Sequence, residues 1–233
     1  RGDWIALLDD DDEWLAQKLE QQLQAAQASE SGMPVVACRF LARGDRGDVL
    51  WPFRRPGPGE RICDYLFCRS RLAFGEGVIP TSMLFAPAAL FRQEPMTPEL
   101  PKHCDLDWLL RVDHRPDVKL EMPPGPAALA VWNLEGGDRL SKIHDWKFSC
   151  QWIDSLRPII TPSSYAGFLL TWASFSSRTQ NDLSSIPYLL GKAFRHGRPS
   201  FRALVVYAAV WCLPSGIRDR WSNALVAREP GEV

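Results

Sequence analysis

Four consecutive carboxylates, Asp9-Asp10-Asp11-Asp12, are the densest chemical feature of the chain. Packed so closely they repel one another, and each prefers a cation nearby. Nothing basic adjoins them in the sequence. A hard divalent ion such as Mg²⁺ or Mn²⁺ is the natural neutraliser, held by one or two carboxylates and completed by substrate phosphates. The competing reading is that Asp11 or Asp12 caps a helix and the others favour its positive end, at ~0.3–1 kcal/mol each. Capping explains one or two aspartates but not four. On charge alone, metal-dependent phosphotransfer and nucleotide-sugar chemistry both suit the cluster.

The elements around the cluster must hold it at the mouth of a sheet. Trp4-Ile5-Ala6-Leu7-Leu8 is a short apolar run that reads as a strand buried on both faces. The acidic residues follow its carboxyl end, where ligands bind in open α/β sheets. Leu15, Leu19 and Leu23 at i, i+4, i+8 predict an amphipathic helix over 13–27. Further along, strands are expected at 35–41 and 49–53 as a hairpin, at 80–85, 118–122 and 127–134, with short helices at 60–69 and from Asp105 to Val112. Beyond Asp145 only helical patterns remain, at 145–156, 162–176, 183–196 and 201–213, and Thr161-Pro162 is a good helix start. The fold class is therefore α/β followed by an all-helical C-terminal extension.

The segment Gly2-Asp3-Trp4-Ile5-Ala6-Leu7-Leu8-Asp9-Asp10-Asp11-Asp12-Glu13-Trp14-Leu15 resembles the Gly-x-(Trp/Tyr)-Ile-Ala-Phe-Leu-Asp-x-Asp-Asp-x-Trp segment of family 2 glycosyltransferases with the GT-A fold. The resemblance implies that Asp9-Asp10-Asp11 is the family's Asp-x-Asp motif. Asp11 would then ligate a Mn²⁺ or Mg²⁺ ion bridging the donor diphosphate, and Asp9 would face the donor ribose and the metal shell, with Asp10 beside them. The implied activity is inverting transfer of a sugar from a nucleotide diphosphate sugar to a saccharide or lipid-linked acceptor, as in making cell-envelope polysaccharide.

An inverting transfer needs a base for the acceptor hydroxyl. His103-Cys104-Asp105-Leu106-Asp107-Trp108-Leu109-Leu110-Arg111 looks like the family's second motif, Glu-Asp-x-Asp or His-Gln-Asp-Trp-Asp-Trp-Leu-Leu-Arg. On that match Asp105 is the general base, Asp107 supports the loop or helix start, and His103 and Trp108 lie on the acceptor side. Cys104 stands where Glu or Gln is usual, and Leu106 where Trp is usual. The plain alternative for Asp105 is a helix N-cap. Arg139 and His144 follow the last expected strand, where the family places a mobile loop over the donor, and Arg139 would touch the diphosphate.

The resemblance implies a partial GT-A domain over 1–144, Rossmann-like with a mixed sheet lacking its first strands, and a helical extension over 145–233. The chain opens at Arg1-Gly2-Asp3-Trp4 without Met, and the expectation is a fragment of a longer enzyme, inactive alone, whose missing half holds the nucleotide. Two other function classes stay open: a metal-dependent nucleotidyl- or phosphotransferase, and a non-catalytic carbohydrate-binding relative.

Composition sets the outer limits. The 233 residues carry 27 Lys+Arg against 28 Asp+Glu, net −1, which leaves no global field to gather nucleic acid. The longest apolar stretch, 203–213, is too short to span a bilayer. Six scattered cysteines read as thiols of a reducing cytoplasm. Ten tryptophans favour stacking or packing surfaces. The basic group Arg195, His196, Arg198 and Arg202 reads either as a solvated face or as a peripheral contact at the inner face of a membrane.

Overall fold

The computed structural model describes residues 2–44, 47–72, 75–134, 145–214 and 216. The protein is mixed α/β and divides into two compact units. One comprises the described residues of Arg1–Tyr65 and Gly77–Leu140, the other those of Leu66–Glu76 and Ser141–Val233.

The first unit holds two four-stranded mixed sheets. Strands β1 (Trp4–Ala6), β3 (Met33–Val36), β6 (Phe85–Pro87) and β7 (Val118–Glu121) form one, in the order β1-β6-β3-β7, with β3 and β7 parallel and the other pairs antiparallel. Strands β2 (Glu13–Trp14), β4 (Phe40–Gly44), β5 (Gly47–Trp51) and β8 (Ala130–Asn133) form the other, in the order β2-β8-β4-β5. The expected hairpin is present as β4 and β5. The expected strand over 35–41 is instead two, β3 in one sheet and β4 in the other. Val35 through Cys38 and Phe40 are all enclosed, and Arg39 alone interrupts the apolar run at the corner, too little to mark a change of sheet.

Two readings near the acidic cluster are corrected. β1 is a three-residue strand at the edge of its sheet, half-buried rather than covered on both faces, and Leu8 is 50% exposed. The helix α1 spans Lys18–Ala28, because residues 13–14 are drawn into pairing with β8 before it begins. Its inward face is Lys18, Gln22 and Ala26, and Leu15 and Leu19 point to solvent. Gln22 explains this one-residue rotation: its amide donates to the carbonyl oxygens of Val36 (3.1 Å) and Met83 (2.8 Å), tying the helix to the end of β3 and to the chain before β6 by polar contacts. Ala26, Val36 and Phe85 close the apolar side, and Trp4 stacks on Phe85 at 5.1 Å.

The short helices α2 (Ile62–Phe67), α3 (Ala88–Gln93) and α4 (Cys104–Val112) complete the elements up to residue 134, and α4 begins where the second motif predicts a helix. The expected strand at 80–85 is a 3₁₀ turn, Thr81–Met83, leading into β6.

The second unit is helical: α5 (Trp146–Ser155), α6 (Pro162–Phe168), a π-helical turn (Leu169–Ala173), α7 (Ser174–Thr179), α8 (Ser185–His196) and α9 (Phe201–Cys212). Asp145, Thr161 and Ser200 cap α5, α6 and α9 by accepting amide hydrogen bonds. Gly167 permits α6 to lie against the chain at Phe67, since a Cβ there would overlap the Phe67 carbonyl. Phe67 is ringed by Phe168 and Trp172.

Candidate functional site

The acidic turn is a backbone device pinned at several points. Asp12 N–H donates to the Asp9 carbonyl (3.3 Å), closing the turn. At its entrance Asp9 N–H donates to the Ser82 hydroxyl oxygen (3.0 Å), and at its exit the Trp14 indole donates to the Ser82 carbonyl (3.1 Å). Asn133 of β8 holds the centre, its amide N–H on the Asp12 carboxylate (3.2 Å) and its side chain on the Asp11 carbonyl (2.6 Å). Asp12 is thereby buried, while Asp9, Asp10 and Asp11 are exposed. The capping reading fails: α1 begins at Lys18, is preceded by Gln17, and takes no side-chain cap from the aspartates.

Three carboxylates on one tight turn tolerate one another because water surrounds them. Among the described residues no group of three or more His, Cys, Asp or Glu is placed to hold a metal ion. Mn²⁺ and Mg²⁺ do not require one, being commonly bound through one or two carboxylates with phosphate oxygens and water completing the shell. Asp9 and Asp11, exposed on a pinned turn, fit that open donor set.

Asp105 lies in the opposite setting. It occupies the second position of α4, so it is not the N-cap; that place belongs to His103. Burial pushes its carboxyl up to about 6, opposed by hydrogen bonding from the Leu106 amide (2.8 Å), and the Asp9 charge pushes it up further. Asp9 and Asp105 thus sense one another although 96 residues separate them. His103 adopts a left-handed backbone, φ 68°, which for a non-glycine residue stores strain of about 1 kcal/mol or more. Burial and the neighbouring Lys102 bring its imidazole down to about 3, so it stays neutral.

The other second-motif residues are structural. Asp107 is buried and accepts from Arg111 Nε (2.9 Å) and the Thr97 hydroxyl (3.1 Å). Arg111 continues to Glu94 and the Pro95 carbonyl, so this network fastens the proline-rich loop to α4. Trp108 is corrected as an acceptor-side platform: it is fully enclosed, stacked on Phe91 at 4.3 Å and donating to the Glu94 carbonyl, so no ring face is left for a ligand. Arg139 and His144 lie outside the described residues.

Two residues, Ser82 in the segment 79–84 that the resemblance assigns to the acceptor side and Lys18 on α1, have contacts that the sequence does not disclose. Ser82 is fully enclosed and carries both ends of the acidic turn. Lys18 is also enclosed, its ammonium 2.7 Å from Gln22 Oε1 and 4.4 Å from the centre of the Trp14 ring; burial lowers it to about 8, and the same burial pushes the nearby Cys38 thiol up to about 12. The signal for Lys18 and Gln22 was their i, i+4 spacing one residue before the leucine stripe. Ser82 carried no such signal, because its partners are 68 and 73 residues away. No family model and no curated protein matches the chain.

Proposed function

We propose that this chain carries the metal-side turn and the base of an inverting glycosyltransferase of GT-A type, which moves a sugar from a nucleotide diphosphate sugar to the hydroxyl of a saccharide or lipid-linked acceptor. The observation that carries the reading is the electrostatic coupling of Asp9, on an exposed acidic turn, to Asp105, a carboxyl raised by burial on another element. Asp105, raised to about 6, is ionised at neutral pH yet more basic than an ordinary carboxylate. That suits removal of the acceptor proton as its oxygen attacks the anomeric carbon. Asp9 and Asp11 would hold Mn²⁺ or Mg²⁺, whose charge stabilises a leaving diphosphate. Ser82 and Asn133 hold the backbone that carries those carboxylates, and His103 sets the backbone entering α4. The six free thiols accord with a cytoplasmic setting.

Product analysis of the full-length gene product with a panel of nucleotide sugars and Mn²⁺ tests the reading. Release of nucleoside diphosphate together with a product of inverted anomeric configuration is expected. Release of pyrophosphate would instead assign the acidic turn to nucleotidyl transfer.

A further inference from the structure

Helices α8 and α9 are apolar on the side that faces solvent as well as on the side that packs. On α8 the inward residues are Ser185, Leu189 and Ala193. Half a turn away run Pro187, Leu190 and Phe194, preceded by Leu183, at spacings i, i+4, i+7 and i+11; Leu183 is 67% exposed and Phe194 58%. On α9 Ala203, Tyr207 and Val210 pack inward, while Phe201, Leu204, Val205 and Ala208 line the opposite side, with Phe201 80% exposed. Surface helices ordinarily turn polar residues outward.

The charged residues on α8, on α9 and in the turn between them are all basic. Arg195, Arg198 and Arg202 are exposed around the corner where α8 meets α9, and the sequence contains no Asp or Glu between Asp182 and Asp219. Asp154, the carboxylate that acts on this corner, is held by Lys192 and by the Tyr165 hydroxyl (2.7 Å). Arg157 adds a further cation beside His196 in a cavity of about 470 Å³. A second copy of the same face is a poor occupant, because a self-complementary interface would bring the arginines of both copies together with no acid between them. Exposed phenyl rings flanked by arginines match the headgroup boundary of a bilayer.

The geometry points to the α8–α9 corner as a docking surface for an anionic lipid bilayer, with Phe194 and Phe201 entering the headgroup boundary and Arg195, Arg198 and Arg202 meeting lipid phosphates. No helix among the described residues is long and apolar enough to cross a membrane, so the contact is peripheral. It involves the helical unit alone and stands whatever the acidic turn binds.

Co-sedimentation of the full chain with phosphatidylcholine vesicles, with and without phosphatidylglycerol, tests it. Binding is expected only to the anionic vesicles. Each of R195Q, R198Q and R202Q should weaken it about fivefold, and F194S and F201S about tenfold each. These side chains point outward, so the melting temperatures should stay at the wild-type value. Wild-type protein that remains in the supernatant with anionic vesicles, or binds neutral vesicles equally, overturns the proposal. So does vesicle binding unchanged in F194S and F201S, or a dimer that those substitutions dissolve in place of vesicle binding.

Discussion

The acidic turn and the first turn of α4 handle negative charge in opposite ways. Around Asp9–Asp11 the fold fixes the backbone and leaves the carboxylates in water, so like charges sit side by side at little cost. At Asp105 it does the reverse, taking one carboxylate out of water without a cation and shifting it to about 6. Two residues on, Asp107 is also buried, but Arg111 and Thr97 satisfy it. Exposure keeps a charge available for a cation, desolvation without a cation raises a carboxyl's basicity, and desolvation beside one makes a brace. Asp105 and Asp107 differ in the cation beside them: Arg111 bonds the Asp107 carboxylate, whereas Asp105 accepts from backbone amides.

The largest expected effect comes from Asp105→Asn. Loss of the base should cut turnover ~10²–10⁴-fold, while the fold gains stability at neutral pH. A carboxyl whose folded pKa lies above its unfolded value favours the folded state at low pH, and that advantage is lost as pH rises from about 4 through about 6. Removing the ionisable group should return about 2–3 kcal/mol at pH 7, read from thermal melts of variant and wild type at pH 4 and pH 7. The two should converge at the lower pH. A variant at once inactive and more stable would set Asp105 apart from every bracing residue.

Asp107→Asn should do the opposite, destabilising by about 2–3 kcal/mol because Arg111 is left without its closest carboxylate. Denaturant titration measures this, and activity should fall only as far as folding does. Asp11→Asn sharpens the comparison from the side of the turn. Turnover should drop about 10²-fold, with a raised Mn²⁺ requirement in a metal titration and an unchanged melting temperature. The acid limb of the wild-type pH–rate profile should fall away below about pH 6, as Asp105 takes up its proton. The smallest effect is that of Ser82→Ala, which removes one of the contacts pinning the turn and should cost about 1 kcal/mol of unfolding free energy in a denaturant titration.

Those effects also mark what the sequence could disclose. The helices from Asp145 onward, the β4–β5 hairpin and the start of α4 were legible, because periodicity, turn residues and caps act over a few neighbours. The corner between β3 and β4 was not, since the run from Val35 to Leu41 is apolar except at Arg39, and a single polar residue looks the same whether the chain stays in one sheet or crosses into another. The face of α1 was misread because leucines were taken to point inward, whereas Gln22 finds its partners across the fold at Val36 and Met83. In the site, the acidic turn announced itself by charge density and Asp105 by the residues around it. The contrast between Asp105 and Asp107 was invisible, because it depends on Thr97, Arg111 and Asp9 arriving from three directions.

The central claim is that Asp105 serves as the base for sugar transfer beside a metal-holding acidic turn. Its most direct test is the rate of nucleoside diphosphate release by the full-length enzyme, wild type against Asp105→Asn, with nucleotide sugar, acceptor and saturating Mn²⁺. The account predicts release by the wild type and a loss of at least ~10²-fold in a variant that melts no lower than wild type at pH 7. Turnover by Asp105→Asn at the wild-type rate would contradict it.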